Sequence, residues 1–293
     1  MRISTVILPH ERWRDARGTW TAAEELGLHG AYTYDHLSWR SFRDRPWFEA
    51  MTTLAAAAVA TSRLRIGPLV TSPNFRHPVP LAKELLTLDD LSAGRLVVGI
   101  GSGGTGFDAD ALGQPSWSAA ERSRRFAEFT ALLDRLLTHE ESTTDGEYYA
   151  AHGVVRHPAP LVVPRPPFVV SALGPRAMAV AAEFGQGWVT TGVAPADAPS
   201  STESTVALQL ADLDRALANR GRDRSSIDRV LLDGFGDEPT LDSVDGFVDV
   251  AGRYGLLGID ELVVHWPIPD SPFAVDQLLF ERIVTEGTTQ LDG

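Results

Sequence analysis

A histidine and a carboxylate stand next to each other, His36 and Asp35, directly after the short apolar run 31–34. Histidine carries a proton readily near neutral pH, and a neighbouring carboxylate can orient a reacting partner. The dipeptide makes His36 a candidate catalytic acid–base residue, with Asp35 beside it. A half-buried structural histidine is the other interpretation of the same residues.

A candidate anion site occupies residues 171–176, Ser-Ala-Leu-Gly-Pro-Arg, between an apolar run and a predicted helix. Small residues and a proline near a helix start expose backbone N–H groups that attract anions. Arg176 could add a bidentate contact to a phosphate. Ser171, Ala172, Gly174 and Arg176 are therefore candidate phosphate-binding residues, and a tight strand–helix turn is the alternative.

Residues 99–104, Gly-Ile-Gly-Ser-Gly-Gly, match the G-x-G-x-x-G pattern of dinucleotide-binding loops. The context does not fit, because the chain continues as Thr-Gly-Phe-Asp instead of opening a helix, and no strand-end acid follows at the expected distance. Two other interpretations remain: a glycine-rich strand end that leaves room for a flat cofactor, and a plain tight turn.

Other positions at the ends of apolar runs could also serve a site. Pro68 lies inside the run 64–70, which predicts either a bulge or a strand that ends near Ser72. Tryptophans near run ends could line a pocket or belong to the core. The candidates for substrate contact are Trp39, Thr191, His265 and Trp266.

Composition excludes several classes of chemistry. The chain has no cysteine, its eight histidines show no pair at i, i+2 or i, i+4, and no G-x-S-x-G occurs. We therefore expect no disulfide, no metal site and no hydrolase elbow. A net charge of −13 argues against nucleic acid or an anionic membrane as partner. No apolar stretch approaches a membrane span, and Met1 leads directly into a strand, so we expect a cytoplasmic protein.

Eight short apolar runs alternate with helical patterns along the whole chain. They are residues 3–8, 31–34, 64–70, 96–100, 168–173, 188–191, 230–232 and 262–265. Continuous apolar runs are typical of parallel strands that are buried on both faces. Eight strand–helix units predict an α/β fold, a closed (β/α)8 TIM barrel that forms one domain over residues 1–293. Such barrels carry their chemistry at the carboxyl ends of the strands, where the candidate residues above are found.

The helical patterns connect these strands. They are residues 17–26, 47–61, 79–91, 119–137, 176–184, 204–219, 241–254 and 273–285. Residues 138–167 interrupt the alternation, and Asp145-Gly146 predicts a small hairpin there. Residues 192–203, with two Ala-Pro turns, predict a second loop.

Taken together, the strand ends resemble the bacterial luciferase-like monooxygenase family, a group of flavin- or deazaflavin-dependent (coenzyme F420) oxidoreductases on this barrel. The segments that carry the resemblance are residues 22–27, 34–37, 65–71, 76–78, 86–89, 91–95, 98–103 and 185–188. They cover nearly the whole chain, and the stretch from Arg65 to Gly103 is the most specific.

The resemblance implies roles for individual residues. His36, and more peripherally Asp35, would face the ring of the cofactor. Leu69 and Val70 match a bulge with a non-prolyl cis peptide that supports the back of the ring, and Thr71 follows them. Ser102 and Gly103 would line the cofactor tail. Residues 171–176 would lie near its phosphate, in agreement with the anion site proposed above.

Two departures from the family pattern bear on function. Relatives that dehydrogenate sugar phosphates carry a glutamate where this chain has Gly104, which argues against that reaction. The span between the sixth and seventh runs is also short, which implies an open pocket or one closed by another subunit, and we expect a homodimer.

These observations favour an oxidoreductase that uses coenzyme F420 to transfer a hydride to or from a small apolar or aromatic substrate. An FMN-dependent monooxygenase is the alternative cofactor assignment, and F420 is favoured because the Tyr34-Asp35-His36 strand end resembles the deazaflavin-dependent branch of the family. Two further hypotheses stay open: a barrel that binds a flavin without turnover, and a dinucleotide-dependent dehydrogenase built around residues 99–104.

Overall fold

The computed structural model describes residues 1–104, 106–193, 202–236 and 238–291. Eight parallel strands form the central sheet: β1 (Arg2–Val6), β2 (Gly30–Thr33), β3 (Arg65–Pro68), β4 (Val98–Gly101), β7 (Phe168–Ser171), β8 (Gly187–Thr190), β9 (Asp228–Leu232) and β10 (Glu261–His265). Their order is β3-β2-β1-β10-β9-β8-β7-β4. Single bridges from Ile66 to Leu96 and from Thr71 to Ile100 join the two outer strands, so the sheet is a nearly closed barrel.

The remaining two strands, β5 (Glu141–Asp145) and β6 (Ala150–Val155), pair antiparallel outside the barrel. This is the hairpin that the sequence predicts at Asp145-Gly146. The carboxylate of Glu128 fixes its turn, because it accepts hydrogen bonds from the backbone N–H groups of Tyr148 and Tyr149 at 2.9 and 2.7 Å.

Helices surround the barrel. The long ones are α1 (Trp13–Glu25), α2 (Ala50–Ala60), α3 (Pro78–Leu91), α5 (Ala119–Thr138), α6 (Pro175–Phe184), α7 (Thr202–Ala218) and α8 (Val244–Leu257). Shorter ones are α4 (Phe107–Ala111), α9 (Gln277–Arg282), α10 (Thr288–Leu291), a π-helical turn at Ile283–Gly287, and 3-10 turns at Arg40–Phe42 and Arg224–Ser226. The predicted (β/α)8 barrel is confirmed. The predicted loop 192–203 falls largely on residues 194–201, which lie outside the described residues.

Two helices begin four residues away from their predicted starts, the largest differences among the predicted helices. Helix α1 begins at Trp13, four residues before the predicted start, and no side chain caps it; Trp13 and Trp20 pack against the core instead. Helix α9 begins only at Gln277, because Asp276 caps it by accepting from the backbone N–H of Leu279 at 2.9 Å. Phe273, predicted as helical, is therefore free to pack at the barrel mouth.

Gly99 and Gly101, two of the four glycines in residues 99–104, serve strand packing. A Cβ at Gly99 would lie 2.4 Å from the carbonyl oxygen of Pro68, and one at Gly101 would lie 2.6 Å from Cγ2 of Val70. Larger residues would therefore push β4 away from the end of β3. Because β4 is a barrel strand and does not lead directly into a helix, the dinucleotide-loop interpretation does not apply. In the part of the chain that the structure covers, we find no helix long and apolar enough to cross a membrane.

Candidate functional site

Most of the predicted site residues meet at the end of the barrel where the strands terminate. A cavity of about 490 Å³, here called the mouth cavity, opens there. Six of the residues proposed from the sequence line it: His36, Trp39, Leu69, Val70, Ser171 and Thr191. These residues lie at or just after the ends of β2, β3, β7 and β8, so the cavity extends across the open end of the barrel, here called the mouth.

His36 is held by a carboxylate that comes from a distant part of the chain. Its Nδ1 lies 2.8 Å from Oδ2 of Asp108, which belongs to the short helix α4. The other carboxylate oxygen of Asp108 accepts from the backbone N–H of Leu37 at 2.9 Å, and Asn74 donates to Oδ2 at 3.1 Å. Trp47 also donates its indole N–H to the carbonyl of His36 at 2.8 Å. These contacts fix the imidazole at the cavity wall.

The charge state of Asp108 determines which histidine nitrogen carries the proton. Burial raises the pKa of Asp108, but hydrogen bonds from His36, Asn74 and the Leu37 backbone outweigh this and lower the pKa below its ordinary value. An ionised carboxylate only accepts hydrogen bonds, so Nδ1 of His36 must donate to it. Nε2 then faces away from Asp108 and is the nitrogen left for a ligand in the mouth cavity.

Asp35 lies in a different environment from His36, the next residue in the chain. It is 1% exposed and does not line the mouth cavity. Arg76 binds both of its oxygens, at 3.0 and 2.6 Å, and the hydroxyl of Thr71 donates to Oδ2 at 2.6 Å. Arg76 also pairs with Glu49 and Glu84. The ion pair fastens β2 to the segment that follows β3, so Asp35 and Thr71 support the mouth from behind.

One wall of the mouth cavity is apolar. Leu69 and Val70 line it, and the peptide bond between them is cis, as the family resemblance implies. Ser171, at the end of β7, also lines the cavity. Ala172 does not, because it is buried in the core and its carbonyl accepts from the indole of Trp188 at 2.8 Å.

A second cavity, of about 580 Å³, lies where two long helices begin, and we call it the helix-end cavity. Ser102 follows β4, Gly174 and Arg176 open α6, and Arg122 and Ser123 belong to the first turns of α5. A Cβ built at Gly174 meets nothing within 4 Å, so this glycine faces open space. Two arginines beside two helix N-termini form an arrangement suited to an anion. Gly103 does not line this cavity; it packs against Asn74 with φ +71°.

His265 lies at the end of β10, beneath the aromatic part of the mouth. Its Nε2 is 2.7 Å from the hydroxyl of Tyr34, and its ring stacks on Phe273 with centroids 3.7 Å apart. Burial lowers the pKa of His265 to about 3, so the ring is neutral. Burial also raises the pKa of Tyr34, which lines the mouth cavity, while nearby Arg40 opposes that rise. His265 therefore reaches the cavity only through Tyr34.

The two predicted tryptophans lie in different places. Trp39 lines the mouth cavity and stacks between Trp47 and Phe273, with ring centroids 6.2 and 6.1 Å away. Trp266 does not line it. Neighbouring residues along an extended chain point to opposite faces. His265 points inward, so Trp266 points outward, where its ring packs against that of Phe280 in α9 with centroids 5.0 Å apart.

Several residues of the site were not foreseen from the sequence, among them Asp108, Arg122 and Arg40. Asp108 lies 72 positions from His36 in a helix of only five residues, so no local pattern connects the two. Within the described residues, no group of three metal-ligating side chains comes together.

Comparison with known proteins identifies the family. The family model described as luciferase-like monooxygenase matches residues 1–233. The chain belongs to this family.

Individual relatives agree with this assignment, and a solved structure shares the fold. An F420-dependent glucose-6-phosphate dehydrogenase of Beutenbergia cavernae is 34% identical over 186 residues, which are 61% of this chain and 52% of the relative. A protein of the same name from Microbacterium testaceum is 28% identical over 92% of this chain and 78% of its own. The chain thus spans only about half the length of the first relative. The crystal structure of monooxygenase RslO1 from Streptomyces bottropensis shares the fold, with a TM-score of 0.79, 21% identity and full coverage of both chains.

Proposed function

We propose that this protein is an F420-dependent oxidoreductase that transfers a hydride to or from a small organic substrate in the mouth cavity. The observation that carries the proposal is the juxtaposition, at one end of the barrel, of His36 held by Asp108 and an arginine-lined cavity at two helix N-termini. The relatives named as F420-dependent dehydrogenases support the choice of coenzyme.

The residues present fit a coenzyme with a flat ring and a phosphate-bearing tail. Gly174 leaves space that a side chain would fill, and Arg122 and Arg176 supply positive charge there. We assign the phosphate to this helix-end cavity, with Ser102 along the tail, and the ring to the apolar wall of Leu69 and Val70. F420 carries a glutamate tail beyond its phosphate, so two arginines suit it better than a single buried phosphate contact would.

F420, when bound, supplies two-electron hydride chemistry. His36 is the catalytic residue in this proposal: its Nε2 accepts a proton from the substrate, donates one to it, or forms a hydrogen bond with the reacting pair. Asp108 keeps the imidazole in the required tautomer, because its carboxylate accepts from Nδ1. Thr191 and Trp39 line the same cavity and are proposed substrate contacts. We propose that His265 acts through Tyr34 as a positioning residue.

The position of Gly104 bears on the substrate. The family resemblance places a glutamate there in sugar-phosphate dehydrogenases. Here a Cβ at Gly104 would meet nothing within 4 Å among the described residues that are not its chain neighbours. The carboxylate of Asp108, four residues further on, is committed to His36, Leu37 and Asn74. We therefore propose a substrate other than a sugar phosphate.

Titration of the purified protein with F420 and, separately, with FMN tests the coenzyme assignment. We expect saturable changes in coenzyme absorbance and fluorescence with F420. Micromolar FMN binding with no response to F420 would overturn the assignment and make the protein an FMN-dependent monooxygenase. Binding of F420 without any hydride transfer across a panel of alcohols, aldehydes and enones would favour the non-catalytic alternative.

We further propose that the chain acts as one domain, residues 1–293, and forms a homodimer in the cytoplasm. The charged coenzyme supports the location, because a phosphate and a glutamate tail prevent passive passage through a membrane. The net charge of −13 supports small molecules over nucleic acid as partners. Light scattering on the eluting protein would give its mass, and a mass of 31.7 kDa would contradict the dimer.

A further inference from the structure

Arg40 lines the mouth cavity from an unusual backbone position. It opens the 3-10 turn Arg40–Phe42 directly after Trp39, and its φ is +38°. Positive φ is uncommon in residues other than glycine. The fold therefore maintains this conformation at the one arginine that lines the cavity among the described residues.

Two aromatic rings hold the guanidinium of Arg40. Its Cζ lies 5.2 Å from the centroid of the Trp39 ring and 5.6 Å from that of Phe235. Cations are attracted to aromatic faces at these distances, and such contacts leave the N–H donors free. Trp39 is itself stacked between two other rings, so packing fixes one of the two rings that contact the guanidinium.

No acid neutralises Arg40 within the part of the chain that the structure describes. Arg40 is exposed at the cavity, whereas three arginines that are buried or half-buried pair with carboxylates: Arg76 with Asp35, Arg165 with Asp134, and Arg229 with Asp214. Over the same described residues, Arg40 forms neither an ion pair nor a side-chain hydrogen bond, and no Asp or Glu lines the mouth cavity. An arginine carries five N–H donors, and here they remain available to a ligand.

The position of Arg40 separates it from the proposed cofactor tail. Arg40 follows β2 and Phe235 follows β9, whereas the helix-end cavity lies beyond β4 and β7. The sheet order is β3-β2-β1-β10-β9-β8-β7-β4. Arg40 and Phe235 correspond to a point halfway between β2 and β9, and the helix-end cavity to a point halfway between β7 and β4. These two points are four strands apart. In an eight-stranded barrel these positions are on opposite sides. The mouth therefore has two separate cationic places.

We propose that Arg40 binds an anionic group of the substrate, a carboxylate or a phosphate monoester, while an apolar or aromatic body fills the rest of the mouth cavity. The cavity walls suit such a molecule, since Leu69, Val70 and Leu232 are apolar and Thr191 adds a hydroxyl. This inference rests on the proposed function in placing the substrate in the mouth cavity, and it narrows the substrate to small organic acids or phosphates.

Benzoate, phenyl phosphate and neutral benzamide are suitable probes, titrated into the full-length protein and followed by ligand-observed NMR. We expect the wild-type protein to bind at least one of the two anions about tenfold more tightly than benzamide, as one charge-assisted contact implies. Arg40→Gln should abolish that preference, and Arg40→Lys should retain part of it. Stronger binding of phenyl phosphate would identify a phosphate group, and stronger binding of benzoate would identify a carboxylate.

Two control variants locate the effect. Arg43→Gln removes the same charge from an exposed arginine at the end of the same turn, which does not line the cavity. Arg176→Gln removes a charge from the helix-end cavity. Arg43→Gln should leave the anion preference within twofold of wild type, whereas Arg176→Gln measures the part of the preference that belongs to the helix-end cavity. An equal loss in either control, or an unchanged preference in Arg40→Gln, would overturn the proposal.

F420 titration of the same proteins separates this inference from the proposed function. Arg40→Gln should bind F420 as the wild type does, while it loses the probe preference. A tenfold loss of F420 affinity in Arg40→Gln would assign Arg40 to the cofactor and overturn the inference. If the wild type fails to bind F420 but still prefers the anionic probes in an Arg40-dependent manner, the coenzyme assignment fails and the anion site stands.

Discussion

Valine at position 174 is expected to weaken F420 binding while leaving the fold intact. An ideal Cβ at Gly174 meets no heavy atom within 4 Å, and its backbone, with φ −96° and ψ 162°, lies in the extended region open to any L-residue. Residue 174 also precedes helix α6, so the variant introduces no β-branched residue into a helix. The added methyl groups would occupy the helix-end cavity where we place the phosphate.

The expected size of the effect follows from the contacts that the phosphate would lose. A hydrogen bond to a charged group contributes about 1.5–3 kcal/mol, and displacement from the start of α6 removes at least one. This corresponds to roughly tenfold to a hundredfold weaker binding. Stability should change by only about 0.5 kcal/mol, since no native contact is broken.

Binding is measured by titration with F420 and the fold by circular dichroism and thermal unfolding. Gly18→Val is the matched control, because a Cβ at Gly18 also meets nothing within 4 Å, on an exposed position of α1 away from the mouth. The control should bind F420 like the wild type. A folded Gly174→Val protein with unchanged F420 affinity would refute the placement of the phosphate in the helix-end cavity.

Three further predictions concern the residues around the mouth. His36→Ala should retain F420 binding but lose about 10²–10⁴ in turnover, and turnover within a few-fold of wild type would make His36 a wall residue. Asp108→Asn should keep the fold and lower turnover by about tenfold or more, because the carboxylate no longer fixes the imidazole tautomer; coenzyme affinity serves as the control readout. His265 has a pKa of about 3 in the folded protein against 6.5 unfolded, so the unfolded chain binds the extra proton and stability falls as the pH drops below 6.5. Between pH 7 and 5 this proton uptake lowers the free energy of unfolding of the wild type by about 2 kcal/mol. Denaturant unfolding of His265→Gln should show a smaller decrease over the same pH range, and equal decreases for the two proteins would contradict the prediction.

The architecture was predictable because its signals are local. Continuous apolar runs mark the strands buried on both faces, and glycine and proline mark the ends of several helices. Helix boundaries failed for two different reasons, a tertiary contact in α1 and an overlooked local cap in α9. Packing of Trp13 and Trp20 extends α1 without a cap, whereas the cap at Asp276 delays α9. The second case matters for the site, because it releases Phe273 to stack on His265.

The candidate site was predictable only in part, for a related reason. Their positions after predicted strands placed His36 and Gly174 at this end of the barrel. Such positions carry no information about which side chains from other strand–helix units contact them. The Asp108 carboxylate reaches His36 across 72 positions, and Arg122 reaches the helix-end cavity from α5. The alternation of side chains along a strand does carry information of this kind. Adjacent residues face opposite sides, so His265 and Trp266 cannot both point into the barrel mouth.

The layout of the mouth explains how an acidic chain could bind two anionic molecules together. A net charge of −13 repels anions at long range, so their binding must depend on short-range contacts with arginine. The proposed coenzyme charges meet Arg122 and Arg176 on one side of the barrel, and the proposed substrate charge meets Arg40 on the opposite side. Because like charges stay apart in this arrangement, the reacting ends of both molecules can approach each other beside His36. Neutral analogues lack the contact with Arg40, so the same separation would select acidic substrates over neutral molecules of equal shape.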